Sequence, residues 1–298
     1  MNRKSTSRRK ALGALTSVAG LSLVSSLYSR LSASDNVLAE NLKGAVNHSV
    51  CRWCYKGVEL DDLAKAAVEI GLSSIELLSI KDFKKIQKYG LTCAMVSASG
   101  SKYGISNGWN KKENHEGMIE LYLHEIDEVA KAGLKNIIVF SGNRETNLSD
   151  EEGLENCAEG LRKVMLYAEK KKVNVVMELL NSKVNHPNYM CDHTNWGVEL
   201  CQKLDSDNFK LLYDIYHMQI MEGDVIRTIQ ENHKYIAHYH TGGVPGRNEI
   251  DDTQELNYPA IIKAILETGY KGFVGQEFIP KRENKLASLK QGVTICDI

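Results

Sequence analysis

The sequence predicts an α/β fold, a (β/α)8 TIM barrel forming a single domain, preceded by an N-terminal signal segment. Three observations carry that expectation. Short apolar runs alternate with amphipathic helical stretches eight times in about 250 residues, the size and rhythm of a closed barrel. No Gly-x-Gly-x-x-Gly follows the first run and no Gly-x4-Gly-Lys-Ser/Thr occurs, so the marks of an open nucleotide-binding sheet are missing. The last four runs each end in an acid or a histidine.

The elements follow in order. Ala45–Cys51 reads as the first strand, and Glu59–Gly71 as a helix with Leu60, Leu63, Ala64, Ala67 and Val68 on one stripe. Ser74–Leu78 and Leu91–Val96 read as the second and third strands. A helix carrying Tyr122, Ile126, Val129 and Ala130 leads to a fourth strand, Lys135–Phe140. Leu154–Lys171 is a helix and Val173–Leu179 the fifth strand. Asp192–Leu204 is a helix with Asp192 as N-cap. Phe209–Tyr213, Tyr235–Tyr239 and Gly272–Gln276 are the remaining strands, separated by helices over Glu222–Asn232 and Tyr258–Glu267. A last helix covers Lys285–Ile298.

Charge is unevenly spread. The whole chain carries a net charge of −1, yet six basic residues and one acid precede Glu40, so the remainder is acidic by six charges. That excludes the basic footprint of a nucleic-acid binder. Hydrophobic residues at 43% and charged residues at 25% are ordinary for a globular chain and leave homo-oligomer formation open. Thr6-Ser7-Arg8-Arg9-Lys10-Ala11-Leu12 resembles a twin-arginine export motif, and the mildly apolar Ala11–Tyr28 follows it. Val37-Leu38-Ala39 offers small-residue cleavage. Residues 1–39 are therefore expected to be a signal peptide read by the twin-arginine machinery, with the barrel, 40–298, delivered to the periplasm. Of the seven cysteines, Cys51 and Cys54 form a lone Cys-x-x-Cys; with no second pair it reads as two half-buried strand residues.

The chemistry is concentrated at the carboxyl ends of the last four runs. Glu178, Asp214, His240 and Glu277 lie 26 to 37 residues apart, about one strand–helix unit each, and in a barrel they converge on one face. Three carboxylates and an imidazole at the ends of apolar runs are costly to desolvate without a counter-charge. One divalent metal ion removes that cost: oxygen-rich ligation with one imidazole suits Mn²⁺, Mg²⁺ or Co²⁺ and can hold Zn²⁺. Glu76, ending the second run, is equally well explained as a solvated or salt-bridged strand end. His186 and His193 flank the loop after the fifth strand and fit a lid. Trp53, Trp109 and Trp196 are candidate stacking residues, Trp196 being better placed against the barrel wall.

Residues 172–280 resemble the hydroxypyruvate isomerase group of the xylose isomerase-like barrels, a superfamily that includes the ketose 3-epimerases. The likeness rests on Leu212-Tyr-Asp-Ile-Tyr-His-Met-Gln-Ile-Met-Glu-Gly223, His238-Tyr-His240, Gly246-Arg-Asn-Glu249 and Gly275-Gln-Glu-Phe278. It implies that Glu178, Asp214, His240 and Glu277 ligate the metal and that His217 and Arg247 bind substrate. His240 stands where hydroxypyruvate isomerases often carry glutamine, which leans the pattern toward the epimerases. The resemblance further implies a sugar or keto-acid isomerase or epimerase. In it Glu178 and Glu277 would be the catalytic acid and base, moving a proton beside a carbonyl through an enediolate. A lyase or dehydratase acting on keto-sugars could use the same groups. An endonuclease IV-type phosphodiesterase would need more His and carboxylate ligands and a basic face. A non-catalytic sugar-binding barrel would not need two paired glutamates.

Replacing both Arg8 and Arg9 by lysine should leave the protein in the cytoplasm, because the export motif depends on paired guanidinium groups and not on charge alone. Fractionation followed by N-terminal sequencing checks it. Exported material that still begins at Met1 would refute the signal-peptide expectation.

Overall fold

The computed structural model describes residues 42–98 and 102–298. The expected signal segment lies outside them. Among the described residues no helix is long and apolar enough to cross a membrane.

Seven parallel strands are hydrogen-bonded in one sheet: β1 (Asn47–Cys51), β2 (Ser74–Glu76), β3 (Asn136–Val139), β4 (Asn174–Glu178), β5 (Phe209–Asp214), β6 (Ile236–Thr241) and β7 (Phe273–Gln276). Their order is β2-β1-β7-β6-β5-β4-β3. The first and last strands of the chain are thus neighbours, with Ser49 paired to Gly275. The expected third strand is not a regular one. Leu91–Ser97 still bridges the two edges: Leu77 N–H donates to Met95 O at 2.8 Å, and Ile138 N–H to Val96 O at 3.0 Å. The physical reason for the broken ladder is at Ala94. Its N–H is taken by Ser74 Oγ at 2.9 Å and its carbonyl by Asn136 Nδ2 at 2.8 Å, so side chains replace the strand bonds.

Nine α-helices are found among the described residues. They are α1 (Leu60–Ile70), α2 (Ile80–Ile86), α3 (His115–Lys131), α4 (Asp150–Lys171), α5 (Thr194–Leu204), α6 (Ile215–Met221), α7 (Val225–Asn232), α8 (Tyr258–Glu267) and α9 (Lys285–Cys296). Helix α4 shows how local sequence sets an end. Ser149 accepts from Glu152 N–H while Glu152 accepts from Ser149 N–H, a capping box with three acids in the first turn. Its Leu154, Leu161, Val164 and Ala168 face the sheet, spaced at helical period. Asp192 is not the cap of α5. His193 holds that position, and the Asp192 carboxylate is drawn away by Arg144, whose Nη1 lies 2.9 Å from it. Helices α2 and α6 were missed by periodicity because each has only seven residues, too short to repeat a pattern.

Strand alternation decides what enters the barrel. On one side Met95, Ile138, Val176 and Leu212 pack together, with Leu77, Phe140 and Ala237 against them. On the other side the interior is polar. Ser49 Oγ bonds Ser74 Oγ at 2.8 Å, and one step along, Cys51, Glu76, His238 and His240 meet. A second, larger apolar layer fills the space between strands and helices.

Ser74→Ala should remove the only side-chain partner that the structure gives the buried Ala94 N–H. The expected cost is about 1–3 kcal/mol, the price of an unmet buried donor. It would appear in urea unfolding as a lower midpoint at unchanged slope. An unchanged midpoint would mean that the backbone bonds alone hold the Leu91–Ser97 segment.

Candidate active site

Each of the four candidate ligands is set by a strand end. Glu178 and Asp214 close β4 and β5, His240 is the fifth residue of β6, and Glu277 follows β7. All four are buried, and one ligand atom from each lies within 4.8 Å of the others. His240 Nδ1 faces Glu277 Oε2 at 2.9 Å and Glu178 Oε1 at 3.5 Å. Asp214 has a second task, accepting from His217 N–H at 3.1 Å as the cap of α6.

Arg247 reaches the same atoms. It stands on the loop after β6 with φ +58°, in the left-handed region that side chains rarely adopt. Its Nη2 donates to Glu277 Oε2 at 2.5 Å and Asp214 Oδ2 at 3.0 Å. Trp53 and Tyr216 flank the guanidinium at 5.0 and 5.4 Å from their ring centroids. Trp53 Nε1–H also donates to Glu277 Oε1 at 2.7 Å.

These contacts divide the carboxyls. Burial alone would raise Glu277, but Arg247 and His240 outweigh it and hold the group well below the usual carboxylate range. Burial raises Glu178, with His240 opposing and the Glu277 charge adding. Burial also raises Asp214 well above its ordinary value, and Arg247 only partly offsets it. The site is therefore short of positive charge. Glu178 Oε1 and His240 Nδ1 are buried without a hydrogen-bond partner. Three carboxylates, one imidazole and two unpartnered ligand atoms fit a divalent cation in chemistry and in spacing.

His217 is brought to the site but not to the cavity wall. Burial and Arg247 keep its imidazole neutral, well below the ordinary value. Asn181 N–H donates to Nδ1 at 3.1 Å, so the ring proton resides on Nε2, which is 3.6 Å from Asp214 Oδ2 and has no bonded partner. A cavity of about 360 Å³ opens beside Glu178, Glu277 and Arg247. Its other walls are mostly apolar, including Leu77, Ile105, Phe140 and Leu180, with Ser97 and His186 among them.

Several expectations need correction. Of the two expectations for Glu76 the ion-paired one holds and the solvated one does not: it is fully buried beneath His240, bonded to His240 Nε2 at 2.6 Å and His238 Nε2 at 2.7 Å. Burial would raise its carboxyl, but His238 and His240 together hold it far below the usual range. Cys51 and Cys54 are buried, not half-buried, and only Cys51 is in a strand. Of the tryptophans, Trp53 lines the cavity, Trp109 is fully buried against Tyr122, and Trp196 donates to Asp150 O. His186 lines the cavity, whereas the half-exposed His193 pairs with Asp192. His238 was quoted only within the His238-Tyr-His240 motif and given no role from the sequence, and Asn181 was not singled out. His238 had a readable signal, two residues before His240 and hence on the same strand face. Asn181 had none.

Comparison with known proteins places these residues in context. The profile of the family described as Xylose isomerase-like TIM barrel matches residues 55–294. The chain is 35% identical over 109 residues to the 2-oxo-tetronate isomerase of Cupriavidus necator, covering 37% of this chain and 41% of that protein. It is 32% identical over 152 residues to the hydroxypyruvate isomerase of Escherichia coli, covering 50% and 57%. The chain thus spans less than two thirds of either relative. Among solved structures it is similar to an AP endonuclease, family 2, from Brucella melitensis (TM-score 0.70, 22% identity, 82% of this chain and 97% of that one). It is also similar to 3-keto-D-glucoside 4-epimerase from E. coli (TM-score 0.71, 16% identity, 84% and 98%). At these identities the structural likeness is one of fold.

Arg247→Met should leave Asp214 and Glu277 buried without their guanidinium. In the metal-free protein the loss should be about 3–5 kcal/mol, as for a broken buried ion pair. The pH sign follows from Glu277. Its pairing stabilises the fold above pH about 4.3, where an unfolded glutamate is ionised, and the benefit is lost as pH falls toward the lower folded value. The gap in unfolding free energy between wild type and variant should therefore narrow on acidification. A pH-independent gap would show that Arg247 acts by packing alone.

Proposed function

The chain belongs to the xylose isomerase-like TIM barrel family, and we propose that it is a metal-dependent isomerase or epimerase of a small keto-sugar or keto-acid. The observation that carries this reading is the meeting of Glu178, Asp214, His240 and Glu277, from four successive strands, beside a cavity of about 360 Å³. The likeness to two isomerases by sequence supports it. The domain is proposed to span 40–298 and to act in the periplasm after export of the 1–39 segment.

A divalent ion held by the four residues would supply Lewis acidity toward a carbonyl and its neighbouring hydroxyl. The chain's own groups handle the proton. Glu277 is fixed from two sides, by Trp53 Nε1–H and Arg247, and stays ionised. It is the group suited to take a proton from the carbon beside the carbonyl. Glu178 has its Oε1 unpartnered and its carboxyl raised by burial. It is suited to hold a proton on that oxygen and return it. The two strands that carry them are separated by β5 and β6, so the carboxyls approach a planar enediolate from different sides. Arg247, on the cavity wall, is the donor proposed to hold a substrate oxygen, while His217, whose Nε2 faces Asp214 Oδ2 at 3.6 Å, is proposed to support that carboxylate from behind. The apolar walls exclude water from the reacting carbon.

Glu178→Gln and Glu277→Gln preserve size and an oxygen ligand while removing the proton carrier. Each should lose about 10²–10⁴-fold in turnover. In D₂O the wild type should place deuterium at the substrate's α-carbon. Glu277→Gln should do neither exchange nor turnover, whereas Glu178→Gln should exchange without completing the reaction. Wild-type turnover in either variant, on any responding keto-sugar or keto-acid, would overturn the two-carboxylate reading. Product analysis by NMR would expose elimination if the enzyme is instead a lyase.

A further inference from the structure

Beneath the four candidate ligands lies a second buried group that the proposed reaction does not use. Glu76 ends β2, and its Oε1 receives His240 Nε2 at 2.6 Å and His238 Nε2 at 2.7 Å. The Cys51 thiol lies 3.5 Å from the same oxygen. The two imidazoles stand edge to face, 5.0 Å between centroids and 86° apart. All four residues are essentially inaccessible.

Two further features of the backbone serve this contact. A Cβ on Gly275 of β7 would fall 2.5 Å from Glu76 Oε1 and 2.9 Å from His240 Cδ2, so only glycine leaves room for the pair. Directly after Glu76, Leu77 takes φ +56°, a strained conformation for a side chain of its size, and is held there by its N–H bond to Met95 O. The strand thus breaks off at the residue that meets His240.

An imidazole can bind a cation only through a nitrogen without a proton. For His240 to bind a cation while its Nε2–H is donated to Glu76, the lone pair must stand on Nδ1, the nitrogen that faces Glu178 and Glu277. We infer that Glu76 is a positioning residue for His240: it fixes the ring's rotation and its tautomer, and His238 in turn fixes the Glu76 carboxylate. This rests on the reading that Glu178, Asp214, His240 and Glu277 hold a divalent ion. Cys51, Glu76 and His240 could alternatively gather a metal themselves. The double donation to one carboxylate oxygen argues for protons there instead.

The test uses the full chain, stripped of metal and titrated with Mn²⁺ by calorimetry. Wild type should take up one equivalent. Glu76→Gln, of the same size but neutral, should bind about 10–100-fold more weakly. The metal-free melting temperature should change little, and the rise on adding Mn²⁺ should shrink. A merely structural role would lower the metal-free melting temperature and leave the Mn²⁺ affinity alone. Equal affinity in wild type and Glu76→Gln would overturn this inference and spare the proposed function. A wild type that takes up no Mn²⁺ would overturn both. A second equivalent, lost in Cys51→Ala, would show that Nε2 ligates and would overturn the tautomer assignment. If Glu76→Gln does not fold, nitrogen NMR of the wild type loaded with Zn²⁺ decides: the His240 ring proton must be on Nε2, and a proton on Nδ1 refutes the inference.

Discussion

Everything at the carboxyl end of this barrel is governed by the balance of charge around His240 and Glu277. Three carboxyls are enclosed within 4.8 Å of one imidazole, and the structure supplies one guanidinium to meet them. Such a group is stable only if it is neutralised and hydrogen-bonded. Arg247 settles Glu277 and touches Asp214, while Glu178 and Asp214 are left raised by burial. The imbalance that remains is the property a binding site for a cation needs. Removing Arg247 would leave Glu277 and Asp214 buried without their guanidinium.

The barrel interior is divided to make this tolerable. Strands β3, β4 and β5 contribute Ile138, Val176 and Leu212, a dry half whose packing resists deformation. Strands β1, β2 and β6 contribute the polar half, in which Ser49, Ser74, Cys51, Glu76, His238 and His240 bond one another in ascending steps. Polar groups at this depth are costly unless paired. Ser49 and Ser74 pair across the neighbouring strands β1 and β2, whereas Glu76 of β2 meets His238 and His240 of β6 across the interior, past β1 and β7. The candidate site is thus the top step of a polar stack, and its apolar neighbours form the cavity wall.

Much of this was legible in the residues. Short apolar runs, separated by helical stretches, gave the parallel strands and most helices within a few residues. Glu178, Asp214, His240 and Glu277 stood out because each closes such a run at a spacing of about one unit. Other features were not legible. Leu91–Ser97 has the composition of a strand, but Ser74 and Asn136 side chains capture the backbone groups of Ala94. Helix α6 is capped by Asp214, so the residue read only as a ligand also starts the turn that presents His217.

The sequence by itself determined the barrel and which strand ends carry acids, because side-chain alternation and helical period are local properties written over a few residues. The tertiary structure alone decided the partners. Glu76 and His240 are 164 residues apart, and Arg247 reaches Asp214 across 33. No local pattern specifies such contacts. They follow from ring closure, which places β1 between β2 and β7 and brings Glu76 under His240. They also follow from the left-handed turn at Arg247, where the loop after β6 directs a cation into the site. Closure is a sum over every strand pairing at once, so the environment that assigns each carboxyl its charge exists only in the folded chain.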